Sequence, residues 1–261
     1  MKAKPQPPMD VRLMNVAATA LFGVGIVLLL AAILAWALRH PLFAISAISV
    51  QGDVAHNNAV TLRANVTPRL AGNFFTVNLA KAREAFEDVP WVRAAVVRRE
   101  FPNRLRVSLE EHRAVAFWGT EGDDRLVNSF GEVFEANTGE LEADELPRLS
   151  GPKEQAALVL AMYQTLQPMF ETVDLGLAHV ALTARGSWQV ELDNDAQVEL
   201  GRGAPQEVVG RTQRFLETLT HVASRYSRRP DALVSADLRH GDGYAVRLRG
   251  VGTTSADAPK K

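Results

Sequence analysis

The 26 residues from Leu13 to Leu38 carry no charge, with Arg12 before them and Arg39 after them. As a helix the run would be about 39 Å long at 1.5 Å per residue. A bilayer core about 30 Å thick asks for about 20 apolar residues, so the run predicts a membrane span with room for tilt. Apolar residues occupy every face, which suits lipid better than the wall of a soluble core. Ala35-Trp36-Ala37 imitates a small-x-small cleavage site. A cleaved leader has an apolar run of only about 7–15 residues, so length favours a retained anchor. Lys2, Lys4 and Arg12 precede the span, whereas after Arg39 the next basic residue is Arg63. That bias puts the N-terminus in the cytoplasm and everything after Arg39 on the other side.

What lies beyond the anchor is large enough for one big or two ordinary domains. Hydrophobic residues make up 47% of the 261-residue chain, a globular rather than a disordered composition. A net charge of −1 gives no bulk electrostatic case for nucleic acid. The chain has no cysteine, which removes disulfides, thiol catalysis and Cys-ligated zinc together.

Residues 1–12 are Pro-rich and polar at their start and read as a cytoplasmic tail, followed by the span at 13–38. Ile45 to Val50, ending at Gly52-Asp53, reads as a strand. Asn58 to Leu70 reads as a short helix. Asn78 is an N-cap for a second helix, with Leu79, Ala82, Ala85 and Phe86 on one face and Pro90 as its end. Ala94 to Phe101 and Leu105 to Glu110 form a hairpin whose second arm alternates apolar and polar residues. Residues 43–113 are therefore a strand-helix-helix-strand-strand unit with both helices on one face of a three-stranded sheet. Residues 114–250 read mainly as β, including hairpins around Ser129 to Glu132 and Asp193 to Asp195. A helix is expected to open at Ser150-Gly151-Pro152 with Ser150 as cap, carrying Leu158, Met162, Leu166 and Phe170 inward, with Pro168 ending or kinking it. Pro205 starts a long amphipathic helix with Val208, Thr212, Phe215, Leu219, Val222 and Tyr226 on one face. Arg225, Arg228 and Arg229 read as a solvated helix end rather than a nucleic-acid contact. The last hairpin pairs Leu233 to Leu238 with Tyr244 to Leu248, and 251–261 is a small, polar, disordered tail.

No sequence motif of a nucleotide site, a zinc protease or a serine hydrolase elbow occurs. The histidines do not cluster at ligand spacing, so neither a metal nor a cofactor is expected. Ser150-Gly151-Pro152-Lys153 fits S-x-x-K, the nucleophile motif of penicillin-binding enzymes, without its companion motifs. An anchored periplasmic hydrolase or acyltransferase using Ser150 is thus the alternative to a non-enzymatic scaffold.

Asn73 to Trp118 (NFFTVNLAKAREAFEDVPWVRAAVVRREFPNRLRVSLEEHRAVAFW) resembles the POTRA module of the FtsQ/DivIB bacterial cell-division proteins. LVNSFGEVF at 126–134, LPRLSGP at 146–152, VELGRG at 198–203 and SADLRHGDGYAVRL at 235–248 match the same family in the same order. The resemblance implies an α+β chain: one transmembrane helix, a POTRA-like β-α-α-β-β module, then a mainly antiparallel β domain with a long C-terminal helix and a terminal edge hairpin. It implies a single-pass inner-membrane protein of the division septum that forms a complex with FtsB and FtsL and handles no small-molecule substrate. In such proteins a segment of FtsB adds as a further strand to the last edge. An unpaired edge suits this, although an edge covered by the tail is the equal alternative from sequence. Arg202 and Arg239 match the two arginines that pair with acidic residues of FtsB. His240 stands where the family often has tyrosine, with Tyr244 as a nearby aromatic on the edge strand, followed by Val246 and Leu248.

Overall fold

A computed structural model describes residues 8–38, 40–52, 55–123, 125–140, 146–240 and 243–251. Helix α1, Met9–Leu38, is unbroken and buries none of its side chains. It starts ahead of the uncharged run and takes in residues 9–12, which composition alone assigns to the tail. By length and hydropathy it is able to cross a membrane.

The remaining described residues divide between Glu111 and His112 into two compact units. In the first, a short 3₁₀ turn at Pro41–Phe43 leads to β1 (Ala47–Gly52), α2 (Ala59–Val66), α3 (Leu79–Glu87), β2 (Val92–Glu100) and β3 (Arg104–Glu111). The sheet order is β1-β3-β2, with β1 parallel and β2 antiparallel to β3. Asn78 caps α3 as its residue type predicts: its side-chain oxygen accepts from the amides of Ala80 and Lys81 at 2.9 and 3.1 Å. Leu62 and Val66 of α2 and Ala85 and Phe86 of α3 pack on Ala95, Val107 and Leu109, so both helices cover one face. Glu111 closes the unit. Its carboxylate is almost fully buried and accepts from the backbone amides of Ala55, His56 and Asn57 at 2.9–3.0 Å and from the Asn57 side chain at 2.9 Å.

The second unit contains β4 (Ala114–Trp118), β5 (Arg125–Asn128), β6 (Val133–Glu135), β7 (Arg148–Ser150), α4 (Ala156–Glu171), β8 (Leu177–Leu182), β9 (Ser187–Leu192), β10 (Gln197–Arg202), α5 (Pro205–Arg225), β11 (Leu233–Asp237) and β12 (Ala245–Leu248). They form one nine-stranded sheet in the order β12-β11-β10-β9-β8-β7-β4-β5-β6. Five of the eight pairings are antiparallel, and the parallel joints are β4–β7, β7–β8 and β10–β11. Alternation along the strands sends Leu149, Val180, Val190, Val198 and Leu200 into one core, which Val159, Leu166 and Phe170 of α4 and Val208, Phe215 and Leu219 of α5 cover. The opposite face is polar, with Arg148, His179, Gln189, Glu191 and Glu199 only partly buried.

Three expectations are corrected here, and a fourth is narrowed, since Pro168 does not end its helix. Ser150 caps no helix. It ends β7, a 3₁₀ turn at Lys153–Gln155 follows, and α4 starts at Ala156 with no side-chain cap. Leu158 is exposed, because the inward stripe of α4 runs through Val159 and Leu160 instead. Pro168 lies inside α4, which continues to Glu171. Tyr226 falls past the end of α5 and is exposed, while Leu216 and Ala223 complete the buried stripe. The NSFGE turn has a clear cause: the Asn128 oxygen accepts from the amides of Phe130 and Glu132, both at 2.9 Å. Of the tails expected at the two ends, residues 1–7 and 252–261 lie outside the described residues.

Candidate partner-binding edge

Strand β12 ends the nine-stranded sheet, with β11 on one side and no strand on the other among the described residues. Its register opposes Ala245, Val246 and Arg247 to Asp237, Ala236 and Ser235. Just beyond the strand, Arg249 donates its amide to the Ala232 carbonyl at 2.7 Å. Backbone groups alternate sides along an antiparallel strand. Arg247 and Ala245 therefore bond to β11, and the amides of Val246 and Leu248 point outward with the Val246 carbonyl. The Leu248 carbonyl is already taken, accepting from Val251 at 3.2 Å across a turn with Gly250 at φ +75°.

The side chains of the same residues stand perpendicular to that row, on the core face of the sheet. Leu248 is buried and Val246 and Tyr244 are half-buried, all three against the helix-covered core. The Tyr244 ring meets Phe215 edge-on at 5.0 Å, and its hydroxyl lies 2.7 Å from that of Thr218 on α5. Tyr244 thus holds β12 down onto α5 rather than offering an aromatic surface outward. His240 is exposed on the connection to β12; Gly241 and Asp242, the middle of the expected Gly-rich turn, lie outside the described residues.

Arg202 and Arg239 come together at the end of the parallel β10–β11 joint. Leu238 donates to the Glu199 carbonyl at 2.8 Å, which carries Arg239 across β10. There it lies over Gly201, where an added Cβ would come within 3.0 Å of Arg239 Cγ. Arg185, Arg202, Arg211 and Arg239, with Glu199, line a cleft of about 560 Å³. Two of these arginines were not foreseen. Arg211 looks like a solvated residue on the polar face of α5, but it donates to the Arg202 carbonyl at 2.6 Å, and its buried Nε has no hydrogen-bond partner among the described residues. Arg185 sits in the β8–β9 turn, and only the sheet order brings it here.

Arg239 is already oriented. Its Nε and Nη2 donate to the two carboxylate oxygens of Asp237 at 2.9 and 2.6 Å. This pairing holds the Asp237 carboxyl at about 2, and the same contact raises the arginine. A guanidinium has five N–H donors, so the fork leaves three for other acceptors in the cleft that Arg239 lines. The D-L-R spacing, two residues apart at a strand end, was the available signal for the pair. Among the described residues Arg202 has no hydrogen-bond or ion-pair partner for its guanidinium. The corner is a cationic cleft that attracts carboxylates.

Ser150 lies elsewhere, on the polar face. Its Oγ is 2.8 Å from His179 Nε2, a contact that sequence spacing does not reveal. Burial lowers the His179 pKa, and its Nδ1 stands 3.9 Å from Glu191, beyond hydrogen-bond range. Among the described residues no three histidine, aspartate or glutamate side chains gather as a metal site.

Comparison with known proteins agrees with this layout. The FtsQ-type POTRA domain model matches residues 43–112, and the C-terminal model of the cell division protein FtsQ/DivIB matches residues 116–239. Cell division protein FtsQ of Burkholderia pseudomallei is 42% identical over 97% of this chain and 99% of its own length. The proteins of the same description from Thiomonas arsenitoxydans and Bordetella pertussis are 38% and 37% identical, covering 94% and 92% of the chain. With two family models matched in succession behind one apolar helix, the chain belongs to the FtsQ/DivIB family of bacterial cell-division proteins.

Proposed function

We propose that this chain is a non-enzymatic inner-membrane scaffold of the division machinery, binding FtsB and FtsL by strand addition at β12 and linking early and late division proteins at the septum. The observation that carries the reading is the outward row of amide and carbonyl groups on β12, one of the two end strands of the sheet and the one beside the arginine cleft, the other end being the three-residue β6. Arg202 and Arg239 then serve as the charged rim, receiving acidic side chains of the added strand. Placement of the N-terminus in the cytoplasm and both units in the periplasm draws on Lys2, Lys4 and Arg12 ahead of the span. The POTRA unit would meet other division proteins.

Arg239→Glu tests the rim. It sets a second carboxylate beside Asp237 and reverses the charge offered to the partner. The expected result is weaker FtsB binding by full-length protein, with a folding transition shifted only slightly by loss of the largely exposed Asp237 pair. Wild-type binding by the variant would remove Arg239 from the site. A second reading, hydrolysis or acyl transfer at Ser150, draws on its contact with His179. It ranks lower because no hydrogen bond orients that imidazole from Glu191. Covalent labelling of wild type but not Ser150→Ala by a β-lactam probe would reverse the ranking.

A further inference from the structure

The end of the first unit nearest α1 carries apolar side chains that its core does not use. Hydrogen bonds tie the connection from α1 to β1 to two loops. Asn73 donates its side-chain amide to the Leu38 carbonyl. Phe74 donates to the Phe43 carbonyl at 2.8 Å, and Ser46 to the Asn103 carbonyl at 2.9 Å. The loop before α3 and the β2–β3 turn therefore flank the point where the chain leaves α1. They present Phe75, 41% exposed, and Phe101, 80% exposed, beside Leu42 at 76%. The rings form a row: Phe43 on Phe75 at 4.9 Å, Phe75 on Phe74 at 5.2 Å, and Phe74 on Phe101 at 6.4 Å.

Arg99 braces this row, donating to the carbonyls of Phe74 and Val77 at 2.6 and 2.8 Å. Arg98 and Arg104 flank the turn, are exposed, and have no ion-pair partner among the described residues. Between positions 98 and 106 four arginines stand against the single carboxylate of Glu100. Aromatic rings and cations mixed in this way suit the headgroup level of a bilayer, which offers apolar chains just below phosphates. The tether supplies the location: Phe43 follows the end of α1 by five residues, held there by the Asn73 and Phe74 bonds.

We propose that this edge is a foot resting on the bilayer that α1 crosses, with Leu42, Phe75 and Phe101 at the acyl boundary and Arg98 and Arg104 on lipid phosphates. The proposal rests on the reading of α1 as a span. Its consequence is orientation: the foot stops the POTRA unit from swivelling about the end of α1.

The absence of native cysteine allows single nitroxide labels without background. Full-length Leu29→Cys, Gln51→Cys, Phe75→Cys and Phe101→Cys proteins are labelled and placed in phosphatidylethanolamine–phosphatidylglycerol vesicles. Collision with oxygen and with a water-soluble nickel chelate then reports depth. Leu29 reads the span, and Gln51, at the far end of β1, reads the water phase. Labels at 75 and 101 are expected to be several-fold less accessible to nickel than the label at 51. Adding Phe101→Ser to Phe75→Cys should raise nickel access at 75. Labels at 75 and 101 as accessible as 51, with 29 in lipid, overturn the foot and leave the span intact. Nickel access at 29 overturns the span on which the proposal rests.

Discussion

Proline at two neighbouring positions separates the two sides of β12. Val246→Pro removes an amide that points away from the sheet, and proline is tolerated on an edge strand at such a position. The half-buried side chain is replaced by another apolar one, so unfolding stability should change by less than about 1 kcal/mol. Arg247→Pro removes an amide bonded to β11 and wedges the ring into the ladder, at about 2–3 kcal/mol. For the partner the order reverses. The Val246 amide and carbonyl and the Leu248 amide are the outward groups, each contributing a net of about 0.5–1.5 kcal/mol to an added strand. Val246→Pro deletes one and puts a ring where the partner's carbonyl would dock. A loss of at least about 1.4 kcal/mol, tenfold in Kd, should result. Urea unfolding of full-length protein in detergent measures the first effect, and titration with FtsB the second. Wild-type binding by Val246→Pro, or destabilisation equal to that of Arg247→Pro, would refute the reasoning.

Two further expectations concern the scaffold. Burial alone would raise the Glu111 carboxyl, but hydrogen bonds from His56 and Asn57 outweigh it and hold the group below its usual range. Its contribution is therefore present above the ordinary glutamate pKa and lost as pH falls through the lowered folded value. Glu111→Gln should cost about 1–3 kcal/mol at neutral pH, with the gap to wild type closing in acid, as pH-dependent unfolding would show. Gly201→Ala puts a side chain at φ +82° within 3.0 Å of Arg239 Cγ and 3.4 Å of Arg211 Nη1. About 1–2 kcal/mol of strain should lower the melting temperature, and displacement of Arg239 should weaken FtsB binding.

Local signals carried much of the architecture into the sequence. The uncharged run, the Asn78 cap, the alternation of Leu105, Val107 and Leu109 and the stripe of α5 each reflect short-range physics. What failed was non-local. Alternation identifies a strand but not its neighbours, so the parallel joints that merge β4, β7 and β8 into one sheet were illegible. That gap misplaced Ser150, whose three-residue strand exists only because β4 and β8 flank it. The candidate residues divide in the same way. Spacing places Val246 and Leu248 on a strand, the sheet order makes that strand an edge, and only the packing on Phe215 shows that Tyr244 faces inward. Arg202 and Arg239 came from family resemblance; the Asp237 fork and the Arg211 neighbour came from the fold.

Hydrogen exchange of full-length protein with and without FtsB, resolved to single amides, tests the central claim most directly. Ala245 and Arg247 should exchange slowly in both states, because β11 already holds them. Val246 and Leu248 should exchange quickly alone and slowly in the complex. Fast exchange of Val246 and Leu248 in a saturated complex would mean that the partner binds without adding a strand to this edge.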